Sequence, residues 1–477
     1  MDRKLKKNLS YQTIYQVLTV LTPLIVTPYV SRRLGSHNLG IYSYSYSIAY
    51  YFLMFAMLGV ANYGNRTIAT VNDSKEERSR VFWEIYSFQL LMAVVMVGLY
   101  AIYLLTLCEY EPLISSMQIL YVMTAFVDIS WLFFGIEDVK PVVIRNTIVK
   151  LVSLIGVFTL VKNAEDLWIY TLLLTGGQFL GSCSMWLSIK GKIDFVKPSI
   201  TAIAKHIIPN LTLFIPVIAV SVYKTMDKIM LGSLTTDSQV GFYTNAESLI
   251  NAPMGFIIAV GIVMLPRITN LLSKGEIEKS IEYFRTSLKL TMCFSCAVAF
   301  GIIAVAPTFV PIYYGDGFEE CVFLLQGQSV VMLFLAWANV VRTQFLLPHK
   351  HDKQYILSIV SGAGINFILN WILIPKYQAA GALIATLFAE GMVCLIQSLD
   401  AARHINMLKC LLQNVYFLVA GIVMFLIIKM MSSHLSFSSS LVSLLSQVFC
   451  GVIIYIVMIA IYYLFLTKVL KKRISIG

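Results

Sequence analysis

Leu39-Gly40-Ile41-Tyr42, with Arg66 downstream, returns as Val240-Gly241-Phe242-Tyr243, with Arg267 downstream. Just upstream, Leu34-Gly35 is echoed by Leu231-Gly232. Gly40, Tyr42 and Arg66 recur at one constant offset of 201 residues. Nearly everything between these marks is apolar. An apolar chain that repeats itself reads as two similar helix bundles in a membrane, an arrangement that moves cargo through the gap between the bundles. A weaker echo pairs Gln118, Asp128 and Lys140 with Gln328, Asn339 and Lys350.

Composition agrees. Of 477 residues, 58% are hydrophobic and 13% charged, against about 25% charged in soluble domains. Apolar stretches long enough to cross a ~30 Å hydrocarbon core recur from end to end. We therefore expect an all-α polytopic membrane protein of about 14 transmembrane helices. Two pseudo-symmetric six-helix lobes, 1–200 and 201–405, precede two further helices in 406–477. Lys4, Lys6 and Lys7 look like a signal-peptide n-region, but the apolar run after them continues through Pro23 and Pro28 to Val30. That is too long for a cleavable signal and reads as the first span.

Basic residues orient the spans. With the N-terminus in the cytoplasm, Lys190, Lys192, Lys197 and Lys205 share one inside loop, and Arg267, Lys274, Lys279, Arg285 and Lys289 another. Lys471, Lys472 and Arg473 put the C-terminus inside too. The net charge of +11 needs no nucleic acid. It reflects topology and attraction to anionic lipids. Ile277, Ile281, Phe284 and Leu288 share a helical face, so an interfacial amphipathic helix is expected over 267–289. The eight cysteines are scattered, and Cys293 and Cys296 read as small packing residues.

Ionisable side chains at membrane depth are costly and seldom face lipid. Asp128, Arg145, Lys150, Glu247, Arg342 and Glu390 all fall within predicted spans, and Lys228 at the ragged end of the seventh. For each, the competing reading is a buried pair that orients helices, for instance Asp128 with Lys150. Together, with cations in excess, they suit a wet cavity for an anionic cargo. Arg32 and Arg33 sit at the outer end of the first span, against the inside bias. Arg66 and Arg267 hold matching positions, from which two guanidinium forks suit a diphosphate. Tyr46 and Tyr50 lie on one face of the second span, and Trp131 on nearly the same face as Asp128. Aromatic groups so placed suit sugar faces, although an interfacial aromatic belt accounts for Tyr42.

No phosphate-binding loop, H-E-x-x-H motif or ligand-spaced histidine cluster occurs. We expect no enzyme activity, ATP hydrolysis, cofactor or metal.

Several runs resemble a known family. They are Asp128-Ile-Ser-Trp131 through Gly135 and Glu137 to Lys140, then Arg145-Asn146 and Lys150. With them go Leu213-Phe-Ile-Pro216, Tyr223, Asp227-Lys228, Gly241 through Glu247, Leu265-Pro266-Arg267-Ile268, and Gly381-Ala382 with Glu390. The combination resembles the Wzx-type polysaccharide flippases of the multidrug/oligosaccharidyl-lipid/polysaccharide exporter superfamily. The resemblance implies a bacterial cytoplasmic-membrane protein that flips undecaprenyl-diphosphate-linked oligosaccharide by alternating access. It further implies an H+ or Na+ gradient as driving force and a polymerase and other polysaccharide-assembly proteins as partners. Asp128, Glu247 and Glu390 are then the candidate coupling carboxylates. The rivals are a membrane polysaccharide polymerase or ligase, for which the outer loops are short, a drug/cation antiporter, and a lipid II flippase.

Overall fold

The computed structural model describes residues 3–108, 111–434 and 439–474. Among them there are no strands. In chain order the helices are α1 (Arg3–Met57), α2 (Val60–Thr70), α3 (Lys75–Thr106), α4 (Pro112–Met117), α5 (Ile119–Val127), α6 (Ser130–Gly135), α7 (Lys140–Leu160) and α8 (Leu167–Ser184). There follow α9 (Ile200–Ala204), α10 (Ile207–Leu234), α11 (Asp237–Ser273), α12 (Ile277–Tyr314), α13 (Glu320–Val341), α14 (Asp352–Ala401), α15 (Met407–His434) and α16 (Ser440–Ile474).

Ten helical stretches among the described residues are long and apolar enough to cross a membrane. Two of these hold two spans each. α1 breaks at Gly35 (φ 75), where only glycine enters the left-handed region without strain. α14 breaks at Gln378 (φ 53). With α8 and α10 the fourteen expected crossings are accounted for. The basic-residue bias also places an outer loop at Cys108–Glu111, of which residues 109 and 110 lie outside the described residues. The interfacial helix expected over 267–289 is not a separate element. α11 runs to Ser273, the chain turns at Gly275 (φ 75), and α12 begins at Ile277. The apolar stripe is the first turns of α12, where Phe284 and Leu288 are buried.

The chain divides into two compact units, Met1–Thr244 and Asn245–Gly477. In the first, α1 packs against α3, α5 and α7, and α10 packs on α1 and α2. The seventh span therefore lies with the first unit, and the boundary falls inside α11. In the second, α12 packs on α13, α15 and α16, and α13 on α14. Apolar side chains exposed in α3 (Leu91, Val94, Leu99, Ile102) and α7 (Ile148, Val152, Ile155) are the surfaces a bilayer covers.

The repeated glycines meet. A Cβ on Gly40 would lie 1.7 Å from the carbonyl oxygen of Asp237, and one on Gly241 would lie 2.1 Å from that of Ser36. Each glycine thus faces the carbonyl one turn upstream of the other. This reciprocity is what a two-fold-related helix pair produces, and it accounts for the retention of glycine at both positions.

Candidate functional site

The fourth span is not one helix. Asp128 ends α5 with an extended backbone (ψ 106), and α6 restarts at Ser130. A helix end leaves up to four carbonyls without helical partners, and inside a membrane no water satisfies them. Here side chains do. Gln89 Nε2 donates to Ala125 O (2.7 Å) and Asp128 O (2.9 Å). Tyr86 Oη donates to Phe126 O (2.9 Å), and Trp186 Nε1 to Val127 O (3.0 Å). The Gln89 oxygen is used as well, accepting from Trp131 Nε1 at 3.0 Å. Trp131 is buried, stacked on Phe82 at 5.3 Å. It belongs to the core that fixes the break and is not presented to a cargo.

The break aims Asp128 at a polar chain. Its Oδ1 accepts from Ser130 N (2.9 Å) and from the Ser130 hydroxyl. Arg145, itself buried, donates to that hydroxyl (3.0 Å) and to Ser182 Oγ (2.9 Å). Arg145 thus reaches Asp128 through one serine. The Asp128–Lys150 pair of the competing reading does not form. Asp128 is taken up by Ser130, while Lys150 donates to Thr19 Oγ1 at 2.6 Å.

The tyrosines of the second span cluster. Tyr46 and Tyr121 hydroxyls are 3.0 Å apart, and the Tyr46 ring stacks on Tyr42 at 5.9 Å. Tyr50 is half-buried and meets Tyr51 edge-on at 6.1 Å. Arg32 and Arg33 are exposed beside a cleft of about 410 Å³ with Ile25, Pro28 and Tyr29. Arg33 lies 5.6 Å from the Tyr29 ring centroid. Arg66 is exposed on α2. Lys228 is half-buried, next to a buried Asp227 that accepts from Tyr243 Oη at 2.7 Å.

In the second unit, Arg267 is exposed and held against Tyr283 by a 3.0 Å hydrogen bond and a 5.2 Å cation–π contact. Arg342 opens a π-helical turn, Arg342–Leu346, and donates to Asn339 Oδ1 at 2.7 Å. Such turns cluster at functional positions. Glu247 is half-buried near the start of this unit. Glu390 is 3% exposed, a setting that costs an ionised carboxylate most unless it is paired. The structure therefore brings Asp128 and Arg145 together, gathers Tyr46 with other tyrosines, and sets Arg32 and Arg33 beside one cleft.

Sequence reasoning missed Tyr86, Gln89 and Trp186. The available signal was an amide in the apolar third span. It also missed the contact of Glu84 with His206. Among the described residues no group of three or more His, Cys, Asp or Glu side chains is placed to hold a metal.

A family model described as polysaccharide biosynthesis protein matches residues 5–272. The chain belongs to this family. A second model, lipid II flippase MurJ, matches residues 151–448, so the chain carries that family's pattern as well. A relative from Escherichia coli (strain K12) named "Putative O-antigen transporter" is 24% identical over 413 residues, 85% of this chain and 98% of the relative. One of the same name from Shigella dysenteriae is 26% identical over 82% of this chain and 98% of its own length. The fold is similar to that of the lipid II flippase MurJ in an inward closed conformation, with TM-score 0.78, 16% identity, and 95% and 99% of the two chains covered. It is also similar to an inward-facing multidrug resistance MATE family transporter, with TM-score 0.62, 14% identity, and 84% and 99% covered. The protein is a multi-pass membrane protein of transporter fold.

Proposed function

We propose that this protein flips an undecaprenyl-diphosphate-linked oligosaccharide across the bacterial cytoplasmic membrane for surface polysaccharide synthesis. One observation carries the reading. The match to relatives named O-antigen transporters spans 98% of their length, so the whole transporter is matched and not a shared fragment. The site chemistry supports it. Arg32, Arg33, Arg66 and Arg267 are exposed guanidinium groups suited to a diphosphate, joined by Lys228, Arg342 and the inner pair Arg145 and Lys150. Tyr46 and Tyr50 offer rings and hydroxyls to sugar units. Ion coupling is assigned to Asp128, Glu247 and Glu390. A coupling group must bind its ion differently in the two access states, and buried Glu390 meets that demand if one state hydrates it. The cargo pairs with H+ or Na+ and hands over to a polymerase.

A second reading, flipping of lipid II, draws on the MurJ model and the 0.78 TM-score. One experiment separates the readings. The gene is deleted, the lipid fraction is analysed for glycan, and the strain is complemented with Arg66→Ala, Lys150→Ala or Arg267→Ala. Cytoplasmic-side lipid-linked repeat units, with surface polysaccharide lost, support the proposal. Accumulation of the peptidoglycan precursor moves the assignment to lipid II. Repeat units on the outer face mean translocation is intact and the protein acts after it.

A further inference from the structure

Glu84 and His206 are both buried, at 2% and 4% exposure, and neither belongs to the site above. His206 Nε2 lies 2.9 Å from Glu84 Oε2, and His206 Nδ1 lies 2.7 Å from the Tyr63 hydroxyl. The Tyr63 ring also meets the imidazole edge-on at 5.6 Å. The exposed Lys205 Nζ reaches the same Glu84 oxygen at 3.1 Å. These groups come from three elements: Tyr63 from α2, Glu84 from α3, and His206 from the cap of α10. They are the titratable and charged groups that face the imidazole among the described residues. Lys205, which ends α9, is the group from that side, and α10 contributes only the Asn210 amide, which donates to the His206 carbonyl at 2.8 Å.

The location has a mechanical meaning. The second span breaks at Leu58 (φ 38) and Gly59 (φ 81). Tyr63 sits one helical turn beyond that break. A Cβ on Gly59 would come within 2.7 Å of Asn210 O and 3.3 Å of Phe214 Cβ. The first two turns of α10 therefore rest directly on the break, and His206 bolts them there.

We propose that Tyr63, His206 and Glu84 form a proton-binding latch that holds the start of α10 on α2 and α3. With neutral imidazole every partner is satisfied: Nε2–H donates to Glu84, and Tyr63 O–H donates to Nδ1. A proton taken from solvent adds to the Nδ1 lone pair. That bond then reverses, Nδ1–H donating to the Tyr63 oxygen as a charge-assisted bond, and the contact with the Glu84 carboxylate becomes an ion pair. No covalent bond other than N–H changes. The imidazolium is attracted to the buried carboxylate and donates a stronger, charge-assisted bond to Tyr63, so proton uptake tightens the docking and proton release loosens it. Imidazole is the side chain suited to this exchange near neutral pH. Use of the latch as a coupling step rests on the proposed transport function, but its titration does not.

The test is hydrogen–deuterium exchange of the full chain in lipid nanodiscs between about pH 5.5 and 8, corrected for intrinsic exchange. Peptides covering 200–215 should gain protection as pH falls from 8 and level off below about pH 6.5, with a slope under the tenfold per pH unit that is the limit for one linked proton. His206→Gln should abolish the slope, and the isosteric Glu84→Gln should flatten it. A flat wild-type profile, protection that rises with pH, or a wild-type slope in either variant overturns the proposal. If His206→Gln does not fold, Glu84→Gln decides. A chain that keeps the slope but flips no lipid-linked oligosaccharide leaves the latch standing and removes the transport reading. A flat slope with intact flipping does the reverse.

Discussion

Replacing Gly40 with alanine tests the crossing directly. A real Cβ essentially never comes within 3.0 Å of another heavy atom, and the Gly40→Ala methyl would sit 1.7 Å from Asp237 O, so the helices must separate by about 3.0 − 1.7 = 1.3 Å. The obstacle is backbone and has no rotamer to turn aside. For Gly241→Ala, facing Ser36 O at 2.1 Å, the shift is about 0.9 Å. A radial gap of 0.5–1 Å already forfeits a quarter to a half of each contact's dispersion well. Leu39, Ile41, Val240 and Phe242, which flank the two glycines, are all buried. Overpacking of this kind costs typically 1–3 kcal/mol, so we assign roughly 3 to Gly40→Ala and roughly 2 to Gly241→Ala. Alanine returns up to ~1 kcal/mol of helix propensity at each site, leaving net losses of roughly 2 and 1. The decisive variant is the double. Once one methyl has parted the helices, the second meets little strain and contributes its propensity gain, so the double loses about 1 kcal/mol where additivity demands about 3. Gly98→Ala, with nothing within 4 Å of its Cβ, is the control and should stabilise by up to ~1 kcal/mol. Reversible unfolding in mixed micelles reads all four. Gly40→Ala as stable as Gly98→Ala, or additive losses in the double, would refute the reasoning.

Gln89→Leu strands the Trp131 indole N–H and two carbonyls in an apolar interior, and at about 1–3 kcal/mol each the loss should reach several kcal/mol, visible as a fall in melting temperature with a shifted tryptophan spectrum. Arg145→Lys keeps the charge but gives up the fork that reaches Ser130 and Ser182 together; transport in reconstituted vesicles should fall about tenfold or more, one hydrogen-bonded charge contact being worth about 1.5–3 kcal/mol, while expression holds. His349 lies between spans, and burial first, then His351 and His404, holds its pKa below the ordinary value, opposed by its bond to Phe345 O. The unfolded chain therefore binds the extra proton first, so the His349 contribution to stability is present above about pH 6.5 and is lost as pH falls through the lower folded value. Melting temperatures between pH 7.5 and 5 should drop less in His349→Gln than in wild type, and equal drops would count against it.

The fold was legible because crossing a bilayer demands about twenty apolar residues per helix, and that demand is written locally. The repeat was legible because its glycines meet a steric need no other residue fills. The break at Asp128 was not, since nothing in Val127 through Trp131 forbids helix. It exists because Tyr86, Gln89 and Trp186, distant in sequence, receive the freed carbonyls. The same distance hid His206, whose partners Tyr63 and Glu84 arrive only through packing. The Asp128–Lys150 pair failed for a related reason. The carboxylate found a serine two residues away, and short local bonds cost less ordering than a long lysine reaching across a turn.

The reciprocal contact of Gly40 and Gly241 has a consequence for inheritance. If the two halves descend from one duplicated ancestor, the ancestral protein needed a single glycine that met its own copy across a symmetry axis. Fusion turned that one position into two that drift separately. Either alone is penalised for changing, yet the first change lowers the penalty on the second. Lineages that lose Gly40 while keeping Gly241 should therefore be the scarcest.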